Sequence, residues 1–226
     1  MTKPSASWQN TTHDWATDLD AGHIVRIRRD PAVFAPGGSL HLVLEVLAYA
    51  ADEAECSGSG QAVITVHDDG SLSIADDGRG TDTRADDLGR AVKKPVMTTK
   101  DLRFFDSPHA AALPDGHPRR GMSVVTALSA WLVHTNRRRD GAWTERYERG
   151  IPVTGLTPIP GNGTSGTTVR FLPDAALICD AQVSLPELHQ LTRAFGPPLA
   201  IEITNEHGCR AEPGRAGLRV RPRGVA

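Results

Sequence analysis

Residues Ser71–Arg84 read SLSIADDGRGTDTR. Apolar and polar side chains alternate through Ala75 as in a half-buried strand, and two aspartates, two glycines and an arginine follow without a break. A surface turn explains a lone Asp-Asp-Gly, since short acids and glycine supply the hydrogen bonds and backbone freedom that turns need. Adjacent carboxylates at the tip of a strand, with glycines that let the backbone come close to another group, equally suit a binding site. The flanking sequence bears on the choice. AVITVH (62–67), DDG (68–70) and SLSIAD (71–76) read as a hairpin turning at Asp69-Gly70. Upstream, Ser39 can cap a helix in which Leu40, Val43, Leu44, Leu47 and Ala51 recur at three- and four-residue spacing, stopping near Gly58 and Gly60. On that helix Glu45, Tyr49 and Asp52 stand at i, i+4 and i+7 and share a stripe beside the core face. Such a stripe is ordinarily solvated; with Asp76 and Asp77 it could instead line one cleft.

The remainder alternates helix, strand and hairpin without a regular βαβ rhythm. A second helix fits Gly121–Leu132, and a second hairpin pairs VHTNRR (133–138) with WTERYER (143–149) through Asp140-Gly141. TTVRFL (167–172), a helix at Leu185–Phe195 and the strand LAIEIT (199–204) complete it. HIVRIRRDPAVFAPGG (23–38) is ambiguous, with alternation at Ile24–Ile27 and two prolines after it. Residues 1–22 read as a flexible arm, 23–208 as the domain, 81–120 as a loop or lid, and 209–226 as a basic Pro/Gly tail. The expected class is α+β, a mixed sheet with helices on one face. Trp131 and Leu132 are expected in the core, and His41 is expected to pack.

Bulk properties narrow the function. The 226 residues carry a formal net charge of −2, so no overall basic field points to nucleic acid, and the runs TNRRRDG (135–141) and RAGLRVRPRG (215–224) suit solvated surface. The longest apolar runs fall short of a membrane span and the polar start lacks a signal peptide, which points to the cytoplasm. Cys56, Cys179 and Cys209 form no CxxC pair and are expected as reduced thiols. No GxxxxGK[ST] occurs, so a P-loop enzyme is excluded.

Five blocks in order, SLHLVLEVLAYAADEAECSG (39–58), ITVHDDGSLSIADDGRG (64–80), GMSVVTALS (121–129), YERGIPVTG (147–155) and GTTVRF (166–171), resemble the ATPase domain of DNA gyrase B and topoisomerase IV, in the GHKL superfamily. The resemblance covers roughly Ile24 to His207. It implies the Bergerat two-layer sandwich, a mostly antiparallel sheet with helices on one face, and binding of ATP or ADP. It assigns Glu45 as the general base that orients water toward the γ-phosphate. It assigns Asp76 as acceptor of the adenine amino group, a choice that suits an acceptor-only carboxylate. Gly78 and Gly80 would lie against base and sugar, and Arg79 beside the base and paired with a carboxylate. Thr167 would support the adenine contact, Gly121 would close the phosphate loop, and Asp52 would also face the nucleotide.

The chain departs from the family in four places. Tyr49 stands where the family has its Mg²⁺-binding asparagine, a poor exchange for a cation that wants small oxygen ligands, so Mg²⁺ is uncertain. The phosphate loop reads GHPRRG (116–121); Arg119 replaces a glycine, and Arg119 and Arg120 could pair with phosphate. Thr144 replaces an arginine, and MTTKDLRFFDSPHAAALPDG (97–116) replaces the family's lid segment. The N-terminal arm lacks the tyrosine that the family passes between protomers, and about twenty residues follow His207, so no lysine-bearing second domain or DNA-cleaving region is expected. Two functions follow from this: an ATPase domain that is slow or partner-dependent, as homodimer or beside another chain, or a non-hydrolysing nucleotide-binding or interaction module. Direct DNA binding is not expected.

Overall fold

A computed structural model describes residues 12–14, 17–85, 91–139, 141–178 and 182–206. In chain order the elements are α1 (Ala21–Arg29), α2 (Pro31–Phe34), α3 (Gly38–Ser57), β1 (Gly60–Val66), β2 (Leu72–Asp76), β3 (Thr83–Ala85) and β4 (Ala91–Lys93). Then come α4 (Met122–Ala127), β5 (Ser129–Arg138), β6 (Gly141–Glu148), β7 (Ile151–Pro152), β8 (Thr157–Pro158), β9 (Gly166–Pro173), α5 (Leu185–Thr192) with a 3-10 turn, and β10 (Leu199–Asn205).

Eight strands form one sheet in the order β10-β1-β2-β9-β5-β6-β7, with β8 also on β6; β3 and β4 make a separate pair. Among the described residues only β1 and β10 run parallel; the other pairings are antiparallel, so the sheet is mixed and mostly antiparallel as expected. The period-two pattern turns Ala62, Ile64, Leu72, Ile74, Leu132, Val169 and Phe171 to one face, where they bury against Leu42, Val43, Leu47, Val124 and Val125 of the helices. The alternate residues, among them Thr65, Ser73 and Arg170, stay half-buried on the other face.

Several local expectations need correction. Gly37, not Ser39, caps α3; Ser39 lies inside the helix and is buried. At the other end Gly58, with φ +86°, closes the helix as expected. Of the core stripe, Val43, Leu44 and Leu47 are sealed along with Leu42, while Leu40 and Ala51 are only partly buried. HIVRIRR is helical: Asp20 caps α1 by accepting from His23 N at 2.9 Å, and Ile24 and Ile27 are one helical step apart, both buried. The second helix stops at Ala127, and Ser129 begins β5, because SAWLVHTN alternates and buries Leu132, His134 and Asn136 on one face. Trp131 is therefore on the opposite face and not in the core, with the guanidiniums of Arg146 and Arg170 at 5.2 and 5.8 Å from its ring centroid.

The described part of the arm is held in place. The Thr98 hydroxyl donates to Asp18 O, Asp20 N donates to Thr98 O at 3.1 Å, Leu102 N donates to Thr12 O at 2.8 Å, and His13 is buried. Within 81–120, Met97, Thr98, Asp101 and Phe105 are buried, so this stretch of turns packs into the domain despite its lack of periodicity. Cys56 is an exposed free thiol; Asp140, Cys179, Cys209, His207 and the tail lie outside the described residues. Among the described residues no helix is long and apolar enough to cross a membrane.

Candidate functional site

β2 ends at Asp76, where the antiparallel partner β9 begins. The Asp76 carboxylate accepts from Gly78 N at 2.9 Å, from Thr167 N at 3.3 Å and from the Thr167 hydroxyl. Burial raises its pKa above the ordinary carboxylate value, and these bonds oppose the rise. The close approach is made possible by Gly166, whose φ is +130° and where a Cβ would stand 1.9 Å from Asp76 O. Asp77 turns the other way, accepting from Gln61 N at 2.7 Å and so holding β1.

The Asp-Gly-Arg-Gly loop folds back on α3 and β5. Arg79 pairs with Glu53, its Nε 2.5 Å from Oε1 and its Nη2 2.9 Å from Oε2, and this guanidinium holds the Glu53 carboxyl below its usual range. A Cβ on Gly78 would meet Glu53 Cγ at 2.7 Å, and one on Gly80 would meet Arg137 O and Asn136 Oδ1 at 2.7 Å. Asn136 Oδ1 accepts from Thr81 N at 2.7 Å, which anchors the loop to β5. A cavity of about 340 Å³ opens here, lined by Asp76, Thr167, Arg79, Gly80, Glu53, Tyr49 and Asp52 among others. A second of about 260 Å³ shares Asp76, Glu53 and Arg79.

Toward the N-terminus of α3 the side chains close on one another. Glu45 is fully buried, which excludes the solvated-face reading, and lies outside the lining of either cavity. Its carboxylate accepts from Arg120 N at 2.5 Å and Gly121 N at 2.8 Å. His41 lies between two acids, Nδ1 2.7 Å from Asp115 Oδ2 and Nε2 3.4 Å from Glu45 Oε1. Burial would lower its pKa, but Asp115 and Glu45 outweigh it and lift the imidazole to about 9. His41 thus does more than pack.

Arg119 is almost sealed from solvent and grips Asp52 with both terminal nitrogens at 2.9 Å. Its guanidinium carbon stands 4.5 Å from the Tyr49 ring centroid and 4.1 Å from that of Phe104. Arg120 donates from Nη1 to Phe105 O at 2.6 Å. The Tyr49 hydroxyl donates to Asp101 Oδ2 at 2.8 Å; burial first, and then Asp101, push its pKa well above the ordinary phenol value. Asp101 also accepts from Arg103 at 2.8 and 3.1 Å, and this outweighs the upward push of burial to keep its carboxyl low.

Asp76, Arg79, Gly80 and Thr167 thus gather around the first cavity, and Asp52 reaches its edge, while Gly78 lines the second with Asp76 and Arg79. Glu45, Arg119, Arg120 and Gly121 gather in a second, internally paired cluster. Sequence reasoning assigns no role to Glu53, Asp101, Phe104, Asp115 or Asn136. Glu53 lies within the block 39–58, and the i, i+4 spacing of His41 and Glu45 is also visible in the sequence. The partners from 101–115 carry no periodic signal.

No family model matches the chain. It is 34% identical over 186 residues to the DNA gyrase B protein of Thermotoga maritima, covering 79% of this chain and 29% of that protein. It is 33% identical over 169 residues to the mitochondrial DNA gyrase B protein of Arabidopsis thaliana, covering 69% and 23%. The match to the DNA topoisomerase IV B protein of Bacillus subtilis is 27% over 194 residues, covering 82% and 30%. The chain therefore spans less than a third of the length of these relatives. Among solved structures, the topoisomerase IV ATP-binding domain of Francisella tularensis, determined with a small-molecule inhibitor, superposes with a TM-score of 0.65 at 24% identity, over 81% of this chain and 90% of that one. With those sequence blocks, this sheet order and these matches, the chain is a divergent homologue of the DNA gyrase B and topoisomerase IV B proteins, with the fold of that ATP-binding domain.

Proposed function

We propose that this protein binds an adenine nucleotide, ATP or ADP, through the end of the site built on Asp76. The observation that carries the reading is the Asp76–Thr167 pair at the edge of an open cavity. Each carboxylate oxygen has two acceptor positions, so Asp76 can hold its internal bonds and still accept from an exocyclic amino group. A guanine carbonyl in that place would meet an acceptor, which gives selection for adenine. Thr167 orients the acid, and the Arg79–Glu53 pair fixes the loop that closes over the base.

Glu45 is the residue we assign as base if ATP is turned over. Glu45 is sealed from solvent beneath the amides it holds, so orienting a water requires its cover to open, which makes hydrolysis slow or dependent on a partner chain or second copy. The same observation favours a second reading, a nucleotide-binding module that does not hydrolyse. The residues here do not fit a Mg²⁺ ligand set: Tyr49 offers a bulky neutral phenol where the cation wants a small hard oxygen ligand, and among the described residues no group of three or more His, Cys, Asp or Glu is placed to hold a metal. We place the protein in the cytoplasm.

Calorimetry with ADP and GDP tests the binding. ADP should bind and GDP should not, and Asp76→Ala should weaken ADP at least tenfold, about 1.4 kcal/mol, with its circular dichroism unchanged. Equal ADP affinity for parent and variant would remove Asp76 as the adenine acceptor. Single-turnover assays with Glu45→Ala then distinguish the slow enzyme from the silent module.

A further inference from the structure

We infer that the ligand class of this site is the adenosine moiety itself, and that the β- and γ-phosphates add little to affinity. The inference rests on the adenine-binding reading and concerns what lies beyond the base. A polyphosphate needs amide donors and cations that are not already engaged. In this chain those groups are taken by its own carboxylates. Glu45 occupies the amides of Arg120 and Gly121. Asp52 occupies both terminal nitrogens of Arg119, and the aromatic rings of Tyr49 and Phe104 flank that guanidinium.

The open cavity repeats the pattern. Its lining includes Arg79, Arg103 and Arg138, and each of these faces an acid: Glu53 at 2.5 Å, Asp101 at 2.8 Å and Asp82 at 2.9 Å. Lys94 is the fourth cation of the lining, and Asp52, Glu53, Asp76 and Asp82 are its four acids, so the formal charges cancel. Several negative charges entering such a space must either displace an internal carboxylate or remain in solvent. A neutral nucleoside meets neither cost. Its base finds an acceptor in Asp76, and its sugar finds a balanced polar surface.

Isothermal titration of the whole chain with adenosine, AMP, ADP and ATP at one ionic strength tests this. Dissociation constants for adenosine and ATP should agree within about threefold. ATP binding tenfold or more tighter than adenosine overturns the inference and leaves the adenine-binding reading intact. Absence of binding by all four, adenosine included, removes that underlying reading, and the inference with it. Asp52→Ala supplies the converse, since it releases the Arg119 guanidinium: ATP should then gain at least tenfold over adenosine. A folded Asp52→Ala variant with the parent's flat series would also overturn the proposal. If the variant does not fold, the parent series alone decides.

Discussion

The two ends of α3 handle their carboxylates in opposite ways. At the C-terminal end, Asp76 is bonded by Thr167 and Gly78 yet borders an open cavity. At the N-terminal end, Glu45 is bonded by two backbone amides and is sealed from solvent. Both acids are well satisfied, so hydrogen bonding alone does not distinguish a ligand-reading group from a structural one. What differs is the space beside each. The Asp76 end is kept open by glycines and a loop anchored through Asn136, and the Glu45 end is filled by the side chains of Arg119, held on Asp52, and Arg120, held on Phe105 O.

The sharpest way to break this comparison is Gly166→Ala. A Cβ there collides with the Asp76 carbonyl in a backbone region that disfavours side chains, so a loss above about 4 kcal/mol by urea unfolding is expected. A loss below about 1 kcal/mol would show that the β2–β9 tip is slack, and the fixed Asp76 geometry would fall with it.

Asp115→Ala probes the other end. It leaves the buried His41 without its shorter partner and should cost about 3 kcal/mol near pH 7. The pH dependence has a definite sign. His41 keeps its proton in the folded chain up to about 9 but loses it near 6.5 when unfolded. Its contribution is therefore complete below about pH 6.5 and is lost as pH rises toward about 9. Asp115, held low by His41 against the push of burial, contributes above the ordinary carboxylate range and loses this as pH falls. His13, His23 and His134, lowered by burial to about 4, 4 and 3, act oppositely to His41 and withdraw stability below pH 6.5. Lys93, lowered by burial to about 7, acts oppositely and gains stability over the same range, so the His41 term is read as a difference: between pH 6.5 and 9 the parent should lose stability relative to the Asp115 variant. Parallel profiles would detach Asp115 from the titration of His41.

The smallest effect belongs to Arg79→Ala. Its side chain is 75% exposed, so loss of the Glu53 pair should change stability by less than about 1 kcal/mol. A larger change would mean that the loop over the cavity depends on this ion pair more than on Asn136.

These contrasts follow what the sequence could display. α3, the β1–β2 hairpin and the strand with Thr167 announce themselves through periodicity and turn residues, and with them the Asp76 end was legible. The Glu45 end was not. Its closure depends on Asp101, Phe104, Asp115 and Arg119, brought in by turns whose buried side chains follow neither helical nor strand spacing. Arg119 could be read as a lost glycine and a potential phosphate ligand, but its grip on Asp52 is a contact 67 residues away in the chain, invisible to local pattern. Trp131 departs from expectation for a simpler reason: a short apolar run suits helix and strand alike, and the switch at Leu128 moves it to the far side of the sheet.

The sheet's β6 margin has a consequence for self-association. Among the described residues, beyond β6 lie only β7 and β8, two residues each, and Pro152 and Pro158 bring no N–H to either. A neighbouring molecule seeking main-chain partners finds almost no ladder there, a blunt selvedge that guards against runaway stacking.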